Sequence, residues 1–139
     1  MYKHILLAAD GSENSMRAAK EAIKLAGTLP DSLIDIVFVA DFNKSKNDVL
    51  HAGTAEKLEL ERRRKLMPIE SLIRESGLKS KVTILKGAPG PEIVRYANEK
   101  AVDIVVIGSR GLNSLQEMVL GSVSHKVMKR VNCPALIVK

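Results

Sequence analysis

Residues 104–124 constrain the fold of this chain more than any other stretch. Four apolar residues, Ile104 to Ile107, predict a buried strand, and a glycine follows it directly. The spacing is G-x2-G-x9-G-S, and its fixed members are Gly108, Gly111, Gly121 and Ser122. A buried strand that leads through a glycine loop into a helix is a common way to bind phosphate, because glycine lets the backbone approach an anion and the first helical turn has free N–H groups.

Glycine spacing alone is also typical of a simple turn, so the glycines leave two interpretations open. The strand before them, the Gly-Ser pair and the helix predicted from about Ser122 to Val131 favour phosphate binding. Ser124 adds a second hydroxyl near the start of that helix. The stretch therefore predicts an anion-binding loop at the end of a strand.

Strand-like and helix-like segments alternate along the chain. Continuous apolar runs predict strands, and apolar residues three or four apart predict helices. The predicted strands cover residues 3–9, 33–40, 81–86, 102–107 and 135–138, and the predicted helices cover residues 13–28, 54–76, 91–100 and 122–131. This alternation predicts a three-layer, doubly wound α/β fold with a five-stranded parallel sheet, strand order 3-2-1-4-5 and helices on both faces.

In that strand order, the chain changes direction across the sheet between strands one and four. Ligands bind outside the strand ends at such a switch point. Asp10 follows strand one and Gly108 follows strand four, so the sequence places both at one crevice. The carboxylate of Asp10 repels phosphate, but it can accept hydrogen bonds from ribose hydroxyls or from an adenine amine.

Four residues interrupt otherwise regular patterns. We expect Pro68 to kink or split the second helix, and Pro91 to be the first residue of the third. Asp35 lies within the apolar run of strand two, which predicts that this strand is partly open there. His4 has no second ligand at metal spacing, so we expect a structural role for it.

The composition of the 139 residues argues against several classes of protein. Aromatic residues make up only 3% of the chain, which argues against the stacking surfaces that bind single-stranded nucleic acid. The formal net charge of +6 suits an anionic partner without identifying one. Cys133 is the single cysteine, so the sequence does not predict a protein held together by internal disulfides. No apolar run is long enough to predict a membrane span or a signal peptide. We expect one cytoplasmic domain covering residues 1–139.

Three stretches of the sequence resemble the universal stress protein family, specifically its ATP-binding branch. They are AADGS at residues 8–12, the glycine motif at residues 108–122 and CPALIV at residues 133–138. The resemblance covers essentially the whole chain and implies the adenine nucleotide alpha hydrolase-like fold. The ligand it implies is ATP, with ADP and AMP left open. A Mg²⁺ ion brought by ATP is a further hypothesis, in which Asp10 and Asp41 would share the metal.

The resemblance implies a role for each matching residue. The residues implied to contact adenine and ribose are Ala8, Ala9, Asp10, Val39 and Ile107. The residues whose backbone would approach ribose and phosphates are Gly108 and Gly111. The residues implied to bind the phosphates are Gly121, Ser122, Val123 and Ser124. Arg110 lies in the same loop, where contact with phosphate and simple exposure to water are equally compatible with the sequence.

The last predicted strand lies at an edge of the predicted sheet. All of its residues are apolar, namely Ala135, Leu136, Ile137 and Val138. Apolar edge strands tend to pair with another chain. The resemblance implies a homodimer in which the last strands pair antiparallel across a two-fold axis. The alternative is an edge that is covered by a loop of the same chain.

The sequence lacks the motifs of several other nucleotide and metal sites. It has no P-loop motif, no G-x-G-x-x-G after strand one and no Cys/His cluster at metal spacing. No nucleophile–base pair is evident, so the favoured function is a regulatory, ATP-binding protein of the stress response. A slow ATP hydrolase or phosphotransferase is an alternative, as is an interaction module that uses the 42–53 loop or residues 62–65.

Overall fold

Five parallel strands form one sheet in the order β3-β2-β1-β4-β5, which confirms the predicted order. The computed structural model describes residues 2–27, 31–40, 55–109 and 121–139. Its strands are β1 (His4–Ala8), β2 (Leu33–Ala40), β3 (Lys79–Lys86), β4 (Ile104–Gly108) and β5 (Ala135–Val138). The helices of these ranges are α1 (Glu13–Ala26), α2 (Ala55–Glu75), α3 (Pro89–Glu99) and α4 (Ser122–Arg130).

β1 is the centre of the sheet, because it pairs with β2 on one side and with β4 on the other. Leu6 lies opposite Asp35 of β2 and Val105 of β4. Ile5, Leu6 and Leu7 are fully buried, as expected for a parallel strand that is covered on both faces. Burying each such side chain contributes about 1.5–3 kcal/mol to folding.

Helices cover both faces of the sheet, and the side chains of each strand alternate between these faces. The first face carries α1 and α2, which pack with Ile5 and Leu7. The second face carries α3 and α4, which pack with Leu6 and Ala8. This arrangement confirms the predicted three-layer α/β architecture.

α1 begins where the sequence predicts. Ser12 is its N-cap residue, and the Ser12 hydroxyl accepts a hydrogen bond from the N–H of Ser15 at 3.2 Å. This bond satisfies one of the free donors of the first turn. The buried side of α1 consists of small residues, namely Ser15, Ala18, Ala19, Ala22 and Ala26. Their small size lets the helix approach the sheet closely.

α2 is a single helix, so Pro68 does not split it, and the alternative, a kink at Pro68, stays a prediction. Proline removes one helical hydrogen bond and crowds the carbonyl four residues earlier, at a cost of about 3 kcal/mol. Pro68 lies on the exposed side of α2, where water can bind the freed carbonyl of Arg64. Buried residues before and after the proline, Leu66, Ile69 and Ile73, hold both halves of the helix against the same face of the sheet.

β3 and α3 both begin two residues earlier than predicted. β3 starts at Lys79 because it pairs with β2 from Leu33 onward. α3 starts at Pro89, so Pro89 rather than Pro91 opens the helix, where a missing N–H costs no helical hydrogen bond. The sequence did not distinguish the two prolines, because both fall within the first turn.

β4 begins at Ile104 rather than at Val102, because Asp103 has another role. The Asp103 carboxylate accepts hydrogen bonds from the N–H groups of Lys3 and His4 at 2.9 and 2.8 Å. The bond from His4 is the largest cause of the lowered pKa of Asp103. Asp103 thus joins the start of β1 to the start of β4.

Asp35 is fully buried, with 0% of its surface exposed, so the prediction that β2 is open at this residue is wrong. The hydroxyl of Thr83 donates to Oδ1 of Asp35 at 2.7 Å, and the hydroxyl of Tyr96 donates to Oδ2 at 2.6 Å. Nε2 of His4 lies 2.9 Å from Oδ2 of Asp35. His4 therefore has the structural role that was predicted.

The network around Asp35 joins β1, β2, β3 and α3. Lys81 of β3 adds a longer contact, with its Nζ 3.6 Å from Oδ2 of Asp35. The negative charge of Asp35 raises the pKa of Lys81. A buried charge is tolerated only when it is paired and hydrogen-bonded. Within the described part of the chain, no buried side-chain nitrogen or oxygen lacks a partner. The network thereby fixes α3 to β2 and β3.

Tyr96→Phe tests the contribution of this network to stability. The substitution removes a donor to a buried carboxylate, so we expect the free energy of unfolding to fall by about 1.5–3 kcal/mol. Urea-induced unfolding, followed by circular dichroism, measures the change. Tyr2→Phe is the matched control, because the hydrogen bond of Tyr2 to Ser32 uses its carbonyl, and we expect a change below about 0.5 kcal/mol. Equal losses in both variants would contradict the assignment.

Candidate functional site

The switch point of the sheet lies between β1 and β4, at the carboxyl ends of these strands. Asp10 follows β1, and Gly108 is the last residue of β4. The two strands are parallel, hydrogen-bonded neighbours, so both residues lie where the carboxyl ends of the strands meet. Open α/β sheets bind ligands in the crevice at this position.

Asp10 is half-buried, and its carboxylate has one oxygen engaged within the chain. Oδ1 accepts a hydrogen bond from the N–H of Ser12 at 2.9 Å, which forms an Asx turn. The turn sets the orientation of the carboxylate relative to β1. Oδ2 has no hydrogen-bond partner among the described residues, so it is available to accept from a hydroxyl or an amine of a ligand.

Small and aliphatic side chains lie on the second face near this edge. Ala8 of β1, Val39 of β2 and Ile107 of β4 belong to one packed cluster. Val39 is partly exposed, whereas Ala8 and Ile107 are buried. Ala9 is also buried but packs on the first face. Three of the four apolar residues expected near adenine therefore share one face, and Ala9 does not.

The first turn of α4 supplies hydrogen-bond donors. Gly121 is the N-cap residue, with an extended backbone (φ −61°, ψ 156°) and no side-chain cap. The N–H of Gly121 donates to the carbonyl of Ser109 at 2.7 Å. Within the described ranges, the N–H groups of Ser122, Val123 and Ser124 have no acceptor. Free amides at the positive end of a helix dipole form an arrangement that binds anions.

The two serines of this turn have different environments. Ser124 is buried, with 2% of its surface exposed, and its hydroxyl lies 3.0 Å from the carbonyls of Ser109 and Gly121. A hydroxyl has one proton, so this one donates within the chain rather than to a phosphate. Ser122 is exposed, and its hydroxyl is the one that a ligand can reach.

Ser109 is a residue that the sequence analysis missed. Its carbonyl accepts from the N–H of Gly121 and contacts the hydroxyl of Ser124. Its own N–H donates to the carbonyl of Val138 at 2.7 Å. Ser109 thereby joins the ends of β4 and β5 to the start of α4. The glycine spacing gave no signal for it, because the spacing does not show which backbone groups pair.

Gly108 has an internal reason to be glycine. A Cβ atom at this position would lie 2.9 Å from the Cβ of Asn14, so the first turn of α1 packs directly on the end of β4. Arg17 donates to Oδ1 of Asn14 and, through Nε, to the carbonyl of Lys139 at 3.1 Å. The missing side chain at Gly108 thus serves the packing of α1, a reason that the glycine motif did not indicate.

The turn that holds Asp10 rests on α2. Gly11 has a φ of +82°, which glycine adopts without strain. A Cβ atom on Gly11 would lie 3.1 Å from the Cβ of Lys65. α2 therefore approaches this turn closely and supports the carboxylate from the first face.

Three residues expected to contact nucleotide or Mg²⁺ lie outside the described residues, namely Arg110, Gly111 and Asp41. Their contacts stay predictions, as does any role of the 42–53 loop. In the part of the chain that the structure describes, no group of three or more histidine, cysteine, aspartate or glutamate side chains could hold a metal ion. None of the described helices combines the length and the apolar character that a membrane span requires.

The whole chain matches the sequence pattern of one protein family. Residues 1–139 match the profile described as the universal stress protein family. The chain belongs to this family. The universal stress protein MJ0577 of Methanocaldococcus jannaschii is 35% identical over 156 residues, which cover 100% of this chain and 96% of that relative.

Solved structures share the fold of this universal stress protein. The structure of MJ0577 superimposes with a TM-score of 0.86, over 100% of this chain and 96% of that one. A universal stress protein in complex with cAMP has a TM-score of 0.72 at 23% identity, over 99% and 96% of the two chains. An Arabidopsis thaliana family member with AMP bound has a TM-score of 0.69 at 20% identity, over 99% and 91%. The expected adenine nucleotide alpha hydrolase-like fold is confirmed.

β5 lies at an edge of the sheet and pairs with β4 alone among the described strands. The carbonyl of Pro134 accepts a hydrogen bond from Val105 of β4, and the carbonyl of Val138 accepts one from Ser109, the residue after β4. Alternate residues of a parallel strand point their backbone groups to opposite sides, so those of Ala135 and Ile137 face the free edge. The four side chains of β5 are each partly exposed. The predicted edge position of this strand is confirmed.

Ser124→Ala and Ser122→Ala separate the two serines of α4. Ser124→Ala removes a buried donor from two carbonyls, so we expect the free energy of unfolding to fall by about 1–2 kcal/mol. Ser122→Ala changes an exposed side chain and serves as the control, with an expected change within about 0.5 kcal/mol. Urea-induced unfolding of both variants measures the difference. An unchanged stability of Ser124→Ala would refute the inward orientation of its hydroxyl.

Proposed function

We propose that this universal stress protein is a dimeric, cytoplasmic regulatory protein of the stress response that binds an adenine nucleotide, with ATP as its ligand in the cell. One observation carries the proposal. The available oxygen of Asp10 and the free amides of residues 122–124 lie at the same edge of the sheet, around the switch point.

The chemistry of these groups matches the two ends of a nucleotide. The amides of α4 and the hydroxyl of Ser122 would donate to the phosphates. Oδ2 of Asp10 would accept from a ribose hydroxyl or from the adenine amine. Val39 is partly exposed beside the buried Ala8 and Ile107 and would offer an apolar contact to the base on the second face. ATP, ADP and AMP share these groups, so one set of contacts would serve all three.

Two structural relatives of the chain have adenine nucleotides bound. The family members whose structures contain cAMP and AMP have the same fold as this chain. At identities of 23% and 20%, these structures indicate a shared fold and not a shared ligand. The ligand is therefore inferred from the hydrogen-bond donors and the acceptor at the switch point. Arg110 and Gly111 would add contacts to the phosphates, and Mg²⁺ would enter with ATP.

Titration calorimetry with ATP, ADP and AMP, each with Mg²⁺ and with a chelator, tests the proposal. We expect saturable binding with a dissociation constant below about 1 mM. Asp10→Ala removes the acceptor, so we expect binding to weaken at least tenfold, which is about 1.4 kcal/mol. Gly121→Val places a branched side chain where the phosphates would lie, and we expect it to abolish the heat of binding while the circular dichroism spectrum is unchanged.

Asp31→Ala is the matched control for Asp10→Ala. Asp31 is an exposed carboxylate before β2, at the opposite end of the sheet, so its loss leaves binding unchanged. The absence of heat for all three nucleotides at millimolar concentration would reject the proposal. Steady release of phosphate from ATP that disappears in Asp10→Ala would instead support the slow hydrolase.

Ala135→Pro tests whether β5 carries the dimer contact. The substitution removes an N–H from the free edge and leaves the hydrogen bonds between β5 and β4 intact. Proline is tolerated at the first residue of a strand. We expect analytical ultracentrifugation to show a shift from dimer to monomer with the fold unchanged. Ala135→Gly keeps the N–H and is the control. A dimer that persists in Ala135→Pro would exclude pairing through this edge.

A further inference from the structure

α4 concentrates positive charge in a way that the other described helices do not. It contains Lys126, Lys129 and Arg130 and no acidic residue. By contrast, the other described helices mix both signs of charge. α1 has three basic and two acidic residues, α2 has six basic and five acidic residues, and α3 has one basic and two acidic residues. α4 therefore carries three positive charges of a chain whose formal net charge is +6.

These charges lie on the outer surface of α4, which we call the basic face. Its members are the exposed residues His125, Lys126, Met128, Lys129 and Arg130. Met128 is 45% exposed and places an apolar side chain among the cations. The opposite side of the helix, with Ser124 and Val127, is buried against the second face of the sheet. The basic face thus remains accessible within the described part of the chain.

The acidic residues of the neighbouring α3 do not neutralise the basic face. Arg95 binds Glu92 at 2.6 Å and Glu99 at 2.8 Å, so both carboxylates of α3 are paired within that helix. The carboxylate of Asp103 is likewise engaged, because it accepts from two backbone N–H groups of β1 and the residue before it. No ion pair among the described residues involves a cation of α4.

The helix dipole accounts for only part of this charge. Lys129 and Arg130 lie in the last turn, where cations stabilise a helix through its dipole. Lys126 lies close to the first turn, where the positive end of the dipole disfavours a cation. The stem of Lys126 also crosses Gly90 of α3, where a Cβ atom would lie 2.9 Å from its Cδ. This packing holds Lys126 on the outer surface near the junction of the two helices.

We propose that the basic face of α4 docks an acidic protein segment that carries an apolar side chain. The helix has nine residues and is about 13 Å long, which matches two turns of a partner helix or about four residues of an extended peptide. Carboxylates of the segment would pair with Lys126, Lys129 and Arg130. Its apolar side chain would pack on Met128, whose flexible thioether adapts to varied shapes.

The composition of the basic face favours a protein segment over other anionic partners. A phosphate backbone makes no use of Met128, and the imidazole of His125 is the single aromatic ring of the face, whereas surfaces that bind successive bases present several stacking rings. Membrane surfaces are bound by helices with a broad apolar side, whereas the basic face has one exposed apolar residue. The combination of cations around one apolar centre is complementary to acidic residues around one apolar residue.

Fluorescence anisotropy of a labelled acidic peptide tests the proposal with the full-length protein. The probe is a glutamate-rich peptide of about 12 residues with leucine at its centre, at about 50 mM salt so that screening stays weak. We expect saturable binding that weakens at least about tenfold in the triple variant Lys126→Glu, Lys129→Glu, Arg130→Glu. We expect Met128→Ser to weaken binding of the leucine probe about threefold. A probe with serine in place of leucine is expected to bind the wild-type protein and Met128→Ser with equal affinity.

The matched control reverses three other exposed cations, in the variant Lys20→Glu, Arg63→Glu, Arg64→Glu. It makes the same change in net charge on α1 and α2, and we expect it to alter the affinity less than about twofold. If the triple variant fails to fold, the double variant Lys129→Gln, Arg130→Gln takes its place in the test, because both residues are exposed. The conservative variant Lys126→Arg, Lys129→Arg is expected to retain binding.

Four outcomes overturn the proposal. The first is no saturable binding of the probe by the wild-type protein at millimolar concentration. The second is an equal loss of affinity in the control triple variant, which would mean that net charge alone attracts the probe. The third is displacement of the probe by AMP, which would place it at the switch point. The fourth is tighter binding to duplex DNA or to anionic vesicles than to the acidic peptide, which would identify a different class of partner.

Discussion

The structure depends on the burial of β1 between two neighbouring strands and two layers of helices. Because β1 pairs with β2 and β4, the chain must cross the sheet after β3, and its helices change from the first face to the second. The same crossing brings the carboxyl ends of β1 and β4 together. The candidate site is therefore a consequence of the strand order, and the central pairing that stabilises the core also places Asp10 beside Gly108.

The buried network of Asp35 supports this arrangement from a distance. It ties α3 to three strands through Tyr96, Thr83 and His4. α3 in turn packs on α4, where Gly90 meets Lys126 and Asn98 bonds the backbone of Arg130 and Asn132. The network of Asp35 is thus connected, through α3, to the middle and the C-terminal end of α4.

Residues 121–139 combine three surfaces in one short segment. The first turn of α4 presents free amides, the outer side of α4 presents cations, and β5 presents the free edge of the sheet. Two backbone bonds of Ser109 link these parts, since its carbonyl accepts from Gly121 and its N–H donates to Val138. A ligand at the first turn would therefore contact a unit that is continuous with the edge strand.

The sequence by itself determined the layers and the strand order, because apolar periodicity is a local property that one chain displays directly. Its resemblance to known members in three short stretches indicated the family. It also marked Asp10, Gly121 and Ser122 as candidate site residues, because the roles proposed for them depend on backbone geometry next to a strand end. Only the tertiary structure decided that Asp35 is buried, that Pro68 leaves α2 whole, that the Ser124 hydroxyl points inward and that Gly108 makes room for Asn14. Each of these outcomes rests on a partner far away in the sequence, or on which side of an element faces the core, and residue patterns carry no record of such contacts.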